Sequence, residues 1–516
     1  MKPFIICLPF ALMTLIACGR LAPQVVGEQK EAHRPIYHFT PDSMWMNDPN
    51  GMVYYEGEYH LFFQHHPDST VWGPMHWGHA VSEDLVHWEQ LPIALYPDEQ
   101  GMIFSGSAVI DWQNTSGLGS EKQPAMVAIF TYHDMEGEQA GANDFQTQGI
   151  AYSLDKGRSW TKYADNPVLD NPGMPDFRDP KVFWHQPTQK WIMIFAAGDH
   201  IRLYHSPNLI YWTFASEFRG WGNEGRPWEC PDLFPLTLEG SDITQWVMLV
   251  SIGKGAPNGG SGTQYFVGDF DGNTFTLNPQ FQEGLKQDSA YWVDWGKDNY
   301  AGVTWSDIPK EDGRRLFIGW MSNWQYANVV PTEKWRSAMT IPRELKLIST
   351  KGGARLSSKP VEELDALRSD SASIADRQTL KNATGELVLS FDLKENQDEI
   401  VGFTLGNGLN EKLRIGFDPE ANAFFVDRRE AGKTGFSEAF AGRHTAPRRS
   451  DEGQLYLHAY IDRASVELFA DDGKTVLTEI FFPNEDFTEL EILGMEYLED
   501  GMVYDLHIGP QSHNSQ

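Results

Sequence analysis

Cysteine is scarce. The 516 residues hold three, Cys7, Cys18 and Cys230, and two of these fall within the first 18 positions. One cysteine in the body excludes an intrachain disulfide framework. Basic residues are few as well: 41 Lys and Arg stand against 72 Asp and Glu, a formal net charge of −31. That balance excludes a nucleic-acid partner, whose phosphates need clustered cations. It also excludes docking on an anionic membrane through a basic patch. The acid is spread along the chain rather than held in one run, so it reads as a solvated surface. Beyond the N-terminal leader no segment approaches the roughly 20 apolar residues of a membrane span. Long amphipathic helical patterns are missing too, at least as far as the middle of the chain.

What is present is aromatic: 18 Trp, 18 Tyr and 30 Phe. Such rings suit strands, and they stack on the apolar faces of sugars. At 41% hydrophobic and 22% charged the chain is globular, and its length predicts two domains. The N-terminus reads as an export signal, with Lys2 ahead of an almost wholly apolar Phe4 to Ala17. Leu15-Ile16-Ala17-Cys18 resembles the bacterial lipobox, in which Cys18 is lipidated and becomes the mature N-terminus. The alternative is an ordinary cleaved signal or an uncleaved anchor. The expectation is a signal over 1–18, a tether over 19–34, and an exported protein anchored by lipid in the bacterial envelope, at the periplasmic face or the cell surface. The only membrane contact expected is that anchor.

From about Ile36 short apolar runs alternate with Gly, Pro, Asn and Asp, as in Tyr59 to Phe63, Ala125 to Tyr132 and Trp246 to Ile252. The pattern predicts an all-β chain. A turn motif recurs: Ser82-Glu83-Asp84-Leu85-Val86-His87-Trp88 returns as Ser206 to Trp212, in variant form as Ser153 to Trp160, and more distantly as Gly268 to Phe275. One such turn per blade, at roughly 60 residues each, predicts a five-bladed β-propeller over 35–348. Residues 349–380 read as a linker. Strands then resume with alternating polarity, as in Leu455 to Tyr460, predicting a C-terminal β-sandwich over 381–511.

Three acidic sites stand out. Trp45-Met46-Asn47-Asp48-Pro49-Asn50-Gly51 holds Asp48 between turn formers, which predicts a carboxylate aimed by rigid backbone at the start or end of a strand. Phe177-Arg178-Asp179-Pro180 sets Asp179 beside a guanidinium, which favours its ionised form. Trp228-Glu229-Cys230-Pro231 sets Glu229 in less polar company, and an apolar surround favours the protonated carboxyl a general acid requires. Glycoside hydrolysis needs one proton donor and one nucleophile or base. Each site taken alone also reads as a turn, a salt bridge or a loop carboxylate.

The ordered set resembles glycoside hydrolase family 32, the β-fructofuranosidases, in its levanase and exo-inulinase group. The matching residues are Trp45 to Gly51, Phe104-Ser105-Gly106-Ser107, Arg178-Asp179-Pro180, Glu229-Cys230-Pro231, Gly319 to Trp324, Trp335 to Met339, Ile341 to Leu345 and, in the second domain, Ile461 to Phe469. The resemblance implies a five-bladed propeller followed by a sandwich, and a retaining double displacement. It implies Asp48 as nucleophile, Glu229 as acid/base about 5 Å from it, and Asp179 as transition-state stabiliser. It further implies a fructose pocket lined by Asn47, Gln64, Trp72, Phe104, Ser105, Arg178 and Trp324, with Trp320 the alternative to the last. The implied substrate is a fructan or fructo-oligosaccharide cut from its end, with sucrose beside it. The alternatives are an invertase, an endo-fructanase, or a non-catalytic fructan-binding lipoprotein. This chemistry needs no cofactor and no metal, so His60, His65, His66, His76, His79 and His87 are read as strand and pocket histidines. No oligomeric state is read from the sequence.

Overall fold

Seven sheets make up the fold in a computed structural model that describes residues 31–394, 398–450 and 453–509, together with Met1. The leader, Cys18 and most of the expected tether lie outside the described residues. Five sheets of four or five strands follow one another along the chain, then two of six strands. The first five are propeller blades. Their inner strands are Met44–Tyr55, Met102–Ile110, Phe177–His185, Trp228–Thr237 and Tyr300–Thr304. Each packs on the next and the fifth returns to the first. They are mostly buried yet carry Asp48, Arg178, Asp179, Lys181, Glu229 and Asp232 among their apolar residues, so they do not show the simple alternation of a half-exposed strand.

The recurrent turn joins the third strand of a blade to the fourth. In blade I the Ser82 hydroxyl accepts from Asp84 N, Asp84 accepts from His87 N, and the Trp88 indole donates to the Leu85 carbonyl at 3.1 Å. The indole bond repeats from Trp160 to Gly157 in blade II and from Trp212 to Leu209 in blade III, both at 3.0 Å. Blade IV keeps only the Asp271 part of the device, with Asn273 N and Thr274 N donating to its carboxylate. Short polar side chains that bond their own backbone make this turn legible in sequence.

The ring is closed by a segment from late in the propeller. Trp335–Arg336 pairs in parallel with Met44 and Trp45, and Met44 N donates to the Lys334 carbonyl at 2.7 Å. Blade I therefore draws strands from both ends of the domain.

The expected linker over 349–380 is corrected by the structure. Lys351-Gly352 is the tip of a hairpin, and Gly353–Pro360 is the outer strand of blade V, paired with Arg343–Thr350. A short helical turn, Glu362–Leu367, buries Leu364 and Leu367 against the propeller core. Arg368–Ser373 and Arg377–Thr379 then enter the two sandwich sheets. Glycine and polar residues signalled a hairpin here, not a free connector. The sandwich core is a separate cluster that includes Leu387, Phe403, Ile415, Phe424, Leu457 and Leu468.

Buried charge joins the two domains. Arg343 of blade V pairs with Asp294 at 2.8 Å and with Glu467 of the sandwich, whose carboxylate also accepts from Ile341 N. Arg428 of the sandwich pairs with Asp298 of the propeller at 2.5 Å and with Glu479 at 2.9 Å. The His38 ring bridges Asp462 at 2.8 Å and Glu467 at 3.0 Å. Burial opposes a charge on His38, but the hydrogen bonds its ring donates to the two carboxylates prevail and raise its pKa to about 9. A raised imidazole pKa adds stability that is complete below 6.5 and is lost as pH rises through 9. Removing one partner of a buried pair leaves the other charge uncompensated. Arg343→Met is therefore expected to cost about 3–5 kcal/mol, read as a lowered calorimetric midpoint; an unchanged midpoint would show that the pair does not hold the domains together.

Candidate active site

The five inner strands share one irregularity. Each shows a register shift near its start: Met46/Pro49 and Asn50/Val53 in blade I, Ile103/Gly106 in blade II, around Asp179-Pro180 in blade III, Glu229/Asp232 in blade IV and Tyr300/Val303 in blade V. A bulge bends a strand and re-aims its side chains. Proline lacks the N–H that a regular ladder uses, so Pro49, Pro180 and Pro231 fit at these points. Asp179, Cys230 and Ala301 take φ of 65°, 43° and 53°. Left-handed backbone at non-glycine residues costs on the order of 1 kcal/mol each and gathers at functional sites. The expectation of a turn at Asp48 is thereby refined, because Met44–Tyr55 is one strand with two shifts. Gly51 is required there at φ 59°, where a Cβ would stand 2.7 Å from the Phe62 and Trp77 rings.

These bulges bring Asp48, Asp179 and Glu229 to one mouth of the channel. Asp48 accepts from Asn47 Nδ2 and Ser105 Oγ, both at 3.1 Å. Asp179 accepts from Cys230 N at 3.0 Å. The Cys230 thiol lies between them, with Sγ 3.5 Å from Asp48 Oδ2 and 3.6 Å from Asp179 Oδ2. Burial and the two aspartates push that thiol well above its usual range, so it stays protonated and donates. Glu229 is held on both sides. Arg178 donates to Oε1 from Nη2 at 3.0 Å and from Nε at 3.3 Å, and the Tyr300 hydroxyl donates to Oε2.

Two local expectations change. The expected Arg178–Asp179 pair is present as an ion pair at 4.0 Å that favours ionised Asp179, but the hydrogen bonds of the guanidinium go to Glu229 and Asp176. Glu229 was read in apolar company, but along a strand Trp228 and Cys230 point away from it, and its carboxylate meets a guanidinium and a phenol. Burial, then the charge of Glu229, raises Asp48 to about 6. Burial raises Asp179 to about 7 against the opposing pull of Arg178, with Glu229 and Asp48 adding to the rise.

The expected pocket residues divide into two groups. Asn47, Ser105 and Arg178 touch the carboxylates. Gln64 is buried with Nε2 unpartnered, a donor left for a ligand. Phe104 lies flat on His133 at 4.2 Å and edge-on to Trp72 at 6.2 Å, and both Phe104 and Trp72 remain partly exposed. Trp324 is partly exposed over Trp45, whereas Trp320 is fully buried. The histidines have local partners: His60 pairs with His79, His65 and His66 bond the Trp45 and Val71 carbonyls, His76 bonds the Pro74 carbonyl, and His87 bonds Asp84. Tyr300 and Asp176 were not among the expected site residues. Tyr300 follows Lys297-Asp298-Asn299, an ordinary turn sequence that does not single out the tyrosine.

Carboxyl groups gathered in one buried mouth can supply the proton donor and the nucleophile or base that glycoside hydrolysis needs. The profile of the glycosyl hydrolases family 32 N-terminal domain matches residues 38–360, and that of the family 32 C-terminal domain matches residues 355–505. The chain belongs to glycosyl hydrolase family 32. It is 52% identical over 476 residues to a levanase of Bacillus subtilis (strain 168), covering 90% of this chain and 68% of the relative. It is 38% identical over 511 residues to an extracellular exo-inulinase of Aspergillus niger, covering 92% and 94%. A solved exo-inulinase from Aspergillus awamori superposes with a TM-score of 0.84 at 37% identity, covering 92% of this chain and 99% of that one. A β-fructofuranosidase from Schwanniomyces occidentalis complexed with fructosyl-erythritol gives 0.81 at 33% identity, covering 93% and 98%.

The raised aspartates carry a sign. Each titrates at 3.8 unfolded and at about 6 or about 7 folded, so the stability tied to their protonated forms is complete below 3.8 and is lost as pH rises through those values. Asp48→Asn is expected to raise the melting midpoint at pH 8 while leaving it nearly unchanged at pH 3.5, a gain on the order of 2 kcal/mol. Equal effects at both pH values would show that burial of charge is not what Asp48 costs the fold.

Proposed function

We propose that the chain is an exported, retaining glycosidase that releases terminal β-D-fructosyl units from fructans such as levan and inulin, and from sucrose. The observation that carries this reading is the three-carboxylate mouth, where Glu229 alone is gripped by both a guanidinium and a phenol. The substrate class rests on relatives named levanase and exo-inulinase and on a solved relative complexed with a fructosyl ligand.

In the proposed first step an Asp48 oxygen attacks the anomeric C2 of a terminal fructose. Glu229 gives its proton to the departing glycosidic oxygen, and a fructosyl ester forms on Asp48. In the second step Glu229 takes a proton from water, the hydroxide adds to C2, and the ester bond returns its electrons to Asp48. Asp179 accepts from fructose hydroxyls and supports the positive charge that develops on the sugar. Gln64 and Asn47 serve the hydroxyls as well, and Trp72, Phe104 and Trp324 wall the ring. Arg178 and Tyr300 fix the direction of the Glu229 carboxyl. Ser105 and the Cys230 thiol hold Asp48, so its free lone pairs face the sugar.

Export is supported by the leader and by relatives named extracellular. Lipidation at Cys18 is part of the same proposal; Cys18→Ser is expected to shift activity from the membrane fraction to the soluble one, and an unchanged distribution would leave only a cleaved signal.

Asp48→Asn and Glu229→Gln are each expected to lower kcat on sucrose and inulin by about 1,000-fold or more in a folded protein. Proton NMR of the first-formed product should show retained anomeric configuration. The acid limb of kcat/KM should fall with a midpoint at about 6, where Asp48 gains its proton. An inverted product, or wild-type rates in Asp48→Asn, would refute the assignment.

A further inference from the structure

The inner strands end together as well as begin together. Around their far ends lies a second cavity of about 690 Å³, at the opposite end of the channel from the carboxylates. Along Trp228–Thr237 the path from Glu229 to Pro235, which lines this cavity, is about 20 Å. The channel between is plugged. Lys181 donates to the Thr304 carbonyl and stands 3.5 Å from Asp232, and Asp232 in turn accepts from the Thr304 N–H and hydroxyl. The far cavity is thus separate from the proposed catalytic site.

Its walls come from four blades. Trp112 follows the inner strand of blade II, Trp184 lies in the inner strand of blade III, Trp246 in the second strand of blade IV, and Arg315 at the entry to the second strand of blade V. Trp112 is 56% exposed, an unusual condition for so large a ring. Its indole nitrogen donates to Asp307 at 2.8 Å, and Asp307 also accepts from Ile110 N, so the ring is held in place although solvent reaches it. The Arg315 guanidinium lies 4.9 Å above the Phe234 ring, and its Nε is buried with no hydrogen-bond partner. A buried donor left unpaired is costly, so it points to a missing acceptor.

The chemistry of the lining selects the ligand. Ordered indoles take the apolar C–H face of a sugar ring, and a guanidinium offers several donors to hydroxyls. In the same lining Lys181 is taken up by Asp232, and Asp271 and Asp307 remain to repel a small anion near Arg315, so a neutral polyhydroxyl ligand fits better. We propose that this cavity is a non-catalytic sugar site that holds a stretch of the fructan chain while an end is cut at the other mouth. This rests on the fructan-hydrolase reading above.

The test uses the full-length chain and two polymers, levan and inulin. Affinity electrophoresis through gels containing either polymer is run with Asp48→Asn as background, so that the ligand survives. Arg315→Met and Trp112→Ala, each added singly, are expected to weaken the retardation about tenfold. The same two changes in the active chain are expected to lower kcat/KM for the polymers and leave that for sucrose within about twofold. Unchanged retardation in both variants overturns the proposal. So does an equal loss on sucrose and polymer. Trp112 is exposed, so its variant remains informative where Arg315→Met fails to fold. Failure of the active chain to cleave sucrose, levan or inulin would instead remove the fructan-hydrolase reading itself, which makes the two failures distinct.

Discussion

Five bulges at one level of the ring of inner propeller strands are the constraint on which the site depends. A regular inner strand would point its side chains alternately into the channel and into the neighbouring blade. At the bulges the backbone turns, and Asp48, Ser105, Asp179, Glu229 and Tyr300 face one another from five different blades. The left-handed residues Asp179, Cys230 and Ala301 are the strained points of that ring. Strain of this kind persists only where the surroundings over-determine it. Here the surroundings are deep apolar packing within each blade and a ring closed by Trp335–Arg336 on Met44 and Trp45.

Electrostatics follows from the same geometry. Three carboxylates share a small buried space with one guanidinium, and that cation sits on Glu229 rather than between the aspartates. Neutral donors serve Asp48 instead: an amide, a hydroxyl and a thiol. For Asp48, burial and the charge of Glu229 outweigh these neutral donors. For Asp179, burial with the charges of Glu229 and Asp48 outweighs the pull of Arg178, while Glu229 is fixed in direction by two donors. Which of these chemically similar side chains is held by charge-assisted hydrogen bonds is set by where the arginine reaches.

Much of this was legible in the sequence, for identifiable reasons. The turn of Ser-x-Asp or Ser-x-Asn followed by Trp is local chemistry, so its recurrence at Ser82, Ser153 and Ser206 announces the blades. Asp48, Asp179 and Cys230 each precede proline, and proline within a strand marks a bulge, although the sequence suggested turns there. The partner of Arg178 was not legible, because Glu229 lies on another blade and only the folded ring sets the distance. Tyr300 was missed for the same reason. The linker reading failed at Lys351 to Pro360 because Gly-Gly with polar neighbours marks a hairpin tip as readily as a connector. Gln64 was reached only through family resemblance; its significance in the structure is the amide left without a partner.

The joint between the domains also bears on the order in which the molecule can be completed. Ile36, Tyr37 and His38 are tied to Asp462, some 426 residues later in the chain for Ile36. Glu467 likewise supplies an acceptor to Ile341 N and a countercharge to Arg343 in blade V. A chain made from its N-terminus presents blade I long before Asp462 and Glu467 exist. Until then the first segment of the propeller lacks its anchor and Arg343 lacks half of its neutralisation. The C-terminal domain thus stands as a keystone: the charges and hydrogen bonds that fix both ends of the propeller close only when Asp462 and Glu467 are in place.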